Sequence, residues 1–473
     1  MATDYSGYMG RVLLIDLTTE TAAEYTWSDR QRRETLGGKI MAYRILADHL
    51  TGNEPAFSEE NWVILSTGPL TGTGAPGSVR FDITAVSPKT GLPTSSNCGG
   101  NFGLYLKKAG YDAVILSGRC KAHRWLEICE DQIRFHNADD LCGSGTTECR
   151  QKLTALLGKD AFGSLCIGPA GEALLPSATV ICDDRAAGRA GLGAVLGWKN
   201  LKAITVTGNK PIPIYNKEKT IVENKKWFAA LNAHPFTSDK EKVSSCVGCP
   251  IRCKTPGTGA NEILNDLGID SIAAAEGIQW LEKRIGFNPE FNPKHRDGQR
   301  RKGIYPAMLK AFGLQESLDT AMLYQDLTEA VSASGLCMFT ANGCCPSLLI
   351  ENPNSIAAKF LRKILRHSGW FVHFANRHPE ILIFQIFHTR MLRSSTGMKL
   401  NLGDFLKIGK RSSDLEQYLN CKFNEKPKLP KHLRNADPEA YYKARGWDEN
   451  GVPEIPSTNH QRKHLLSAST KDN

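Results

Sequence analysis

Cys246, Cys249 and Cys253 form a C-x2-C-x3-C array, and a fourth thiol, Cys337 in the run GLC, follows more than eighty residues later. A fold that uses all four together must carry a remote segment back onto one short loop. Three closely spaced thiolates plus one distant thiolate suit a single [4Fe–4S] cube, whereas zinc more often takes two separated pairs. The competing explanation is three unrelated buried cysteines, because a free thiol packs as a small apolar group. Three thiols within eight residues, with Pro250 directly after Cys249, weigh against it. The pattern points toward electron transfer rather than hydrolysis or simple binding.

Fourteen cysteines in 473 residues, without an N-terminal apolar leader, do not read as a disulfide framework. A reducing compartment, the cytoplasm, is the expectation, and no apolar stretch reaches the roughly 18 residues of a membrane span. The net charge of +10 is concentrated in 284–310 and 361–393. No nucleic-acid module accompanies that basic surface. Anionic cofactors or an acidic redox partner account for it equally well.

The length allows two to four domains. Residues 1–210 alternate strand-like runs (RVLLIDLT, WVILSTG, RFDITAV, YDAVILSG, WLEICE, GSLCIG, LKAITVTG) with Gly-rich turns and helix-like stretches such as NFGLYLKKAG. After Pro211 and Pro213 the texture becomes helical, over 216–232, 265–284, 316–334, 354–367 and 403–419. The fold class expected is α+β: a strand-rich base, 1–210; a helical segment with the cysteine array, 211–310; a helical C-terminal domain, 311–455; and a polar tail, 456–473. No internal repeat is visible. Two stretches, 285–311 and 367–393, follow no regular period. The second holds His367, His373, His378 and His388, none spaced i, i+4 as a helical metal site requires. Core or surface histidines are the simpler reading.

Four loops of the first domain join glycines to an arginine or a helix start: GPLTGTGAPGSVR (68–80), SSNCGGNFG (95–103), GPAGE (168–172) and DDRAAGRAGLGAVLG (183–197). Consecutive N–H groups in such turns make concavities for phosphate-like anions. Arg80, Arg185 and Arg189 add fixed positive charge. None of the four is a P-loop, and GRAGLG is not in the Rossmann order. Each alone is only a tight turn; together they favour a bulky, phosphorylated cofactor.

These segments resemble the tungsten-containing aldehyde:ferredoxin oxidoreductases. The likeness runs through GRVLLIDLTTE, LGGKIMAYRIL, GPLTGTGAPGSVRF, SNCGGNFG, LKKAGYDAVILSGR, IGPAGE and RAAGRAGLGAVLGWKNLKAI, and resumes at CVGCPIRC, NDLGIDSI and YQDLTEAVSASGLCMFT. It implies a strand-rich base holding two pterin-dithiolene ligands of one tungsten or molybdenum, covered by two mostly helical domains. The family's pterin-contacting loops fall on Arg80, Asn97, Gly99, Arg185 and Ala186. Its paired D-x-x-G-L-[DC] motifs fall on Asn265–Asp270, with Gly268, and on Ser332–Cys337, with Gly335 and Leu336. Cys246, Cys249, Cys253 and Cys337 would hold the [4Fe–4S] cluster, with magnesium an optional further ion. The activity implied is oxidation of a small aldehyde to a carboxylic acid, ferredoxin accepting the electrons; a homodimer is a further expectation.

The sequence departs from the family in definite ways. Asn265 and Ser332 stand where the family often has Asp, and Ile269 replaces Leu. The chain resembles a shortened or degraded member. The glutamate-bearing segment near the metal and the His-containing run beside the substrate have no counterparts, so no catalytic acid or base is assigned. His234 and Glu262 lie nearby in sequence and read as surface residues. The stretches 285–311 and 367–393 read as places where frame or splice has shifted. Two alternatives therefore stand beside the enzyme: a non-catalytic electron-transfer or scaffold paralogue, and a relative acting on an aromatic thioester or another oxo substrate.

Overall fold

The computed structural model describes residues 3–158, 162–183, 185–188, 190–233, 266–269, 314–338, 340, 354–367, 369–424 and 437–455. Two six-stranded sheets form the first part. One comprises β1 (Val12–Asp16), β2 (Thr21–Tyr25), β3 (Val63–Thr67), β4 (Phe81–Val86), β5 (Pro93–Cys98) and β6 (Ala113–Ser117), in the order β2-β1-β6-β3-β4-β5. The other comprises β7 (Arg124–Cys129), β8 (Gln132–Asn137), β9 (Gly163–Ile167), β10 (Val180–Cys182), β11 (Arg185–Ala187) and β12 (Leu201–Thr207). Read from its opposite edge, the second sheet runs β8-β7-β12-β9-β10-β11.

The two sheets share one topology. Each begins with an antiparallel hairpin, β1–β2 or β7–β8. The sixth strand returns parallel to the first, as β6 along β1 and β12 along β7, and pairs antiparallel with the third. The third, fourth and fifth strands are successive antiparallel neighbours. A helix follows each fifth strand, Phe102–Ala109 and Leu192–Trp198. The chain thus contains an internal repeat, contrary to the sequence reading. The repeat is chiefly one of backbone path: equivalent positions share only scattered residues, among them Gly68-Pro69 with Gly168-Pro169 and Ala113 with Ala203.

Burial explains which strands were legible. The central strands β3, β4, β9 and β12 are buried along their whole length and read as apolar runs. The edge strands β2 and β8 are largely exposed and carry no such signal. The sheets share a core in which Leu13, Leu65, Phe81 and Val114 meet Leu126, Leu165, Val180 and Ile204. Within the first half, Lys107 Nζ on helix Phe102–Ala109 meets Asp112, just before β6, at 2.6 Å, both buried.

Helices cover the first sheet, as the α+β expectation requires. Gly38–His49, Leu318–Ala333, Phe387–Thr396 and Leu402–Lys422 contribute Ile40, Val331, Met391 and Phe405 to a second core. Leu402–Lys422 starts at a capping box between Asn401 and Asp404, which satisfies N–H groups that a helix start otherwise leaves open. Helices Lys217–Ala233, Ile356–His367 and Gly369–Arg377 are also present. The aperiodic stretch 367–393 therefore contains helix Gly369–Arg377 and most of Phe387–Thr396. Stretch 285–311 lies outside the described residues. Among those described, no helix is long and apolar enough to cross a membrane.

Candidate functional site

Each sheet turns its third strand into a Gly-Pro corner, and each corner receives one of the two remote motifs. After β3, Leu70 N donates to Ser334 O at 3.0 Å and Arg80 N to Gly335 O at 3.4 Å. After β9, Ala170 N donates to Leu267 O at 3.1 Å and Thr179 N to Gly268 O at 2.7 Å. Gly335 and Gly268 both have positive φ, +81° and +73°, a conformation open to glycine at little cost. A Cβ on Gly335 would collide with the Thr71 hydroxyl, and one on Gly268 would lie 2.8 Å from Gly168 N. The motifs are held by backbone, and glycine is required on both sides of each contact.

The two corners carry different side chains. On the first, Arg80 Nη2 donates to Cys337 Sγ at 3.1 Å and Nη1 to Asn97 Oδ1 at 3.3 Å. Asn97 Nδ2 then donates to Asp82 Oδ2 and to Ser332 Oγ, both at 3.2 Å. Asn97 and Asp82 are paired residues on β5 and β4, while Ser332 and Cys337 arrive from the end of helix Leu318–Ala333. Leu336 is fully buried behind them, and Cys337 is 3% exposed. Cys337 N is held by Gly77 O at 3.1 Å. Five polar groups from four parts of the chain thus meet at one place.

Asp82 is the unusual member. It is 2% exposed, and burial pushes its carboxyl up to about 7, with Asn97 opposing and Glu329 adding to the rise. Behind it, Lys39 Nζ lies 2.9 Å from Glu329 and 2.8 Å from Glu416. Sequence reading passed over Asp82 because RFDITAV scans as a strand. The available signal was a charged residue amid an apolar run, which is rarely buried without reason.

On the second corner, Thr179 stands where Arg80 does, and Ile181, paired with Ala186, stands where Asp82 does. The Thr179 hydroxyl is buried without a partner among the described residues. Arg185 is half-buried, Ala186 is exposed and Gly99 is buried. Asn101 N donates to Asp183 Oδ2 at 2.7 Å, joining the end of β5 in one half to the turn between β10 and β11 in the other. Gly268 is on this corner. Asn265, Asp270, Arg189 and the triad Cys246, Cys249 and Cys253 lie outside the described residues.

Among the described residues the histidines do not gather. His373 pairs with Asp319 and His378 with Glu380 on the surface. His388 is fully buried, 3.2 Å from the Thr340 hydroxyl and edge-on to Trp227. Thr340 N donates to Cys337 O at 2.8 Å, so His388 supports the Cys337 turn from behind. Nothing in the spacing of the histidines marked it out. The side chain of His367 is outside the described set.

The donor set suits a ligand with anionic groups and N–H donors. A guanidinium and turn N–H groups serve the former. A carboxylate, an amide and two hydroxyls serve the latter. The Thr179 hydroxyl and the weakly partnered Asp82 carboxylate are buried groups that a bound molecule would satisfy. Cys337 with the Arg80 charge against its sulfur suits a metal-bound thiolate.

Two family models match the chain: "Aldehyde ferredoxin oxidoreductase, N-terminal domain" over residues 12–208, and "Aldehyde ferredoxin oxidoreductase, domains 2 & 3" over 285–459. The second match spans both 285–311 and 367–393, against the expectation of a shifted frame there. The tungsten-containing aldehyde ferredoxin oxidoreductases of Pyrococcus furiosus and Thermococcus kodakarensis are each 36% identical over 214 residues, 45% of this chain and 35% of theirs. A Pyrococcus furiosus protein, "Aliphatic sulfonate oxidoreductase, WOR-like subunit", is 30% identical over 299 residues, 58% of this chain and 47% of that one. The matched part of the chain spans about a third to a half of the length of these relatives. A solved structure, "Active site complex BamBC of Benzoyl Coenzyme A reductase in complex with 1,5 Dienoyl-CoA", superposes with a TM-score of 0.68 at 18% identity. That likeness covers 98% of this chain and 97% of the other, and concerns the fold alone.

Proposed function

The chain belongs to the aldehyde ferredoxin oxidoreductase family, and from that premise we propose that it oxidises an aldehyde to a carboxylic acid, with ferredoxin or a similar protein as electron acceptor. The balance is RCHO + H2O → RCOOH + 2 H⁺ + 2 e⁻. The observation that carries the reading is the Arg80 guanidinium, which touches Cys337 on one side and Asn97 on the other. One side chain thereby joins the thiol proposed for the cluster to the floor proposed for a pterin.

Cys246, Cys249, Cys253 and Cys337 would hold the [4Fe–4S] cluster. Arg80, Asn97, Ser332, Gly335 and Leu336 would seat one pterin, and Gly99, Arg185, Ala186, Asn265, Gly268 and Asp270 the other. When bound, a tungsten or molybdenum bis-pterin supplies oxygen transfer and a two-electron step that side chains cannot. The chain's own residues bind and orient that group. Arg80 places fixed positive charge between thiol and pterin, and the Gly-Pro corners offer N–H groups to phosphate. The tungsten-enzyme names of the relatives support this reading, while the sulfonate-oxidoreductase name leaves the oxo substrate open.

Anaerobically purified protein should contain about four iron and one tungsten or molybdenum per chain. Iron without either heavier metal would select the electron-transfer paralogue instead. Protein with neither iron nor tungsten or molybdenum would overturn the proposal.

A further inference from the structure

We propose that Asp82 supplies the carboxylate that recognises the N–H edge of the pterin on the first corner, in place of the acid that the family motif often carries at position 332. This rests on the proposed function above and assigns a binding role to a residue outside the motifs.

Asp82 and Ser332 border the same spot. They share one donor, Asn97 Nδ2, at 3.2 Å from each. A Cβ placed on Gly38 would lie 2.7 Å from Asp82 Oδ2 and 3.2 Å from the Ser332 carbonyl oxygen, so both residues border that glycine. Ser332 is too short and too neutral to answer two N–H donors at once. A carboxylate two residues beyond Arg80, sharing the Asn97 donor with Ser332, restores that capacity.

The protein itself satisfies Asp82 poorly. Its other donor among the described residues is the Ser95 hydroxyl at 3.5 Å, and no cation among them lies within ion-pair distance of it. A buried carboxylate with only weak neutral donors is costly unless something else donates to it. The internal repeat shows that the sheet does not need it. Ile181 occupies the equivalent position, with the same cross-strand register to Ala186 that Asp82 has to Asn97. The fold builds this strand with an apolar residue where no acid is wanted.

The chemistry names the partner. The aminopyrimidinone edge of a pterin presents a ring N–H beside an exocyclic amine, two donors spaced for the two oxygens of a carboxylate. Asn97 and Ser332 would then fix the carboxylate's plane, and Arg80 would balance its charge from the cluster side.

The test uses the full chain purified anaerobically, with pterin per chain measured by fluorescence after oxidative release, iron measured alongside, and melting recorded for each protein. Asp82→Asn keeps size and shape and removes the acceptor pair. It should weaken retention on the first corner about ten-fold or more while the protein melts as a folded chain. Asp82→Asn with Ser332→Asp returns the acid to the motif and should recover the pterin. Ser332→Asp alone sets two acids around Asn97 and should retain less pterin than the double variant. Wild-type pterin content in Asp82→Asn would overturn the proposal, as would a folded double variant that stays empty. Wild-type protein without pterin would overturn the underlying reading, and that failure is visible before any variant is made.

Discussion

Arg80 reaches the sulfur of Cys337 at 3.1 Å across 257 residues of sequence. The same guanidinium holds Asn97 at 3.3 Å. Its planar fork spans two acceptors that a single ammonium cannot serve in the same geometry. Arg80→Lys should therefore lose one of the two contacts. The expected result is iron retention about ten-fold lower, from the loss of one charge-assisted hydrogen bond of roughly 1.5–3 kcal/mol. Iron analysis and the visible absorption of the cluster check this. Full iron loading in Arg80→Lys would show that the contact is incidental.

The two glycine corners predict a pair of matched effects. Gly335→Ala forces a side chain into positive φ against Thr71 and to 3.0 Å from Gly68 N. Gly268→Ala does the same to 2.8 Å from Gly168 N. Each should destabilise the chain by about 2 kcal/mol or more, from left-handed strain and overpacking. Denaturation midpoints of both variants measure it. Equal losses would mean that the halves are mechanically equivalent although their side chains differ. A neutral Gly268→Ala would contradict the docking described for the second corner.

These corners also show what could be read in advance. Arg80, Asn97, Ser332, Gly335, Leu336 and Cys337 were named in advance, most of them through the family's motifs, and backbone pairing brings them to one corner. The repeat was hidden because it lies in backbone path. Arg80 and Thr179, Asp82 and Ile181, and Asn97 and Ala186 occupy equivalent places, yet no substitution pattern links them. Beyond the dipeptides Gly68-Pro69 and Gly168-Pro169, the identities at equivalent places, such as Leu65 and Leu165, Gly103 and Gly193, and Ala113 and Ala203, are too scattered to mark a period. Strands β2, β5, β8, β10 and β11 went unread: β2 and β8 are exposed edges, β5 is a polar edge strand that reads as the loop 95–103, and β10 and β11 are only three residues long. Asp82 was missed because it sat inside an apolar strand, whereas His388 was named but not singled out from neighbours such as His373 and His378, which pair on the surface.

Asp82 gives a pH signature in pterin-free protein. Its carboxyl is raised to about 7 by burial, with Asn97 lowering and Glu329 raising it, and with Lys39 and Arg80 opposing the rise. The unfolded value is near 3.9. Between these values the native state holds a proton that the unfolded chain releases. Its contribution is fully present below about pH 4 and is lost as pH rises through about 7. Asp82→Asn removes that dependence. The stability advantage of the variant should grow by up to ~1.4 kcal/mol per pH unit in this window and level off above it. Urea denaturation at stepped pH is the measurement, and a pH-independent difference would refute the assignment.

His388 should produce the opposite slope. It is buried beside Trp227, Phe405 and the Thr340 hydroxyl, and burial lowers its ring to about 3, against about 6.5 unfolded. The native state keeps the ring neutral while the unfolded chain takes up a proton. The stability is therefore fully present above about pH 6.5 and is lost as pH falls toward 3. Between about pH 4 and 6.5 this loss works against the gain from Asp82, so the wild-type chain should show a shallow profile there. His388→Gln should leave the Asp82 slope, with stability rising on acidification. Asp82→Asn should leave the His388 slope, with stability falling. The double variant should lack both. Because Thr340 ties His388 to the Cys337 turn at 2.8 Å, iron retention measured on the same acid series should fall with the His388 slope. If retention instead tracks Asp82 alone, the histidine packs the helix without supporting the cluster turn.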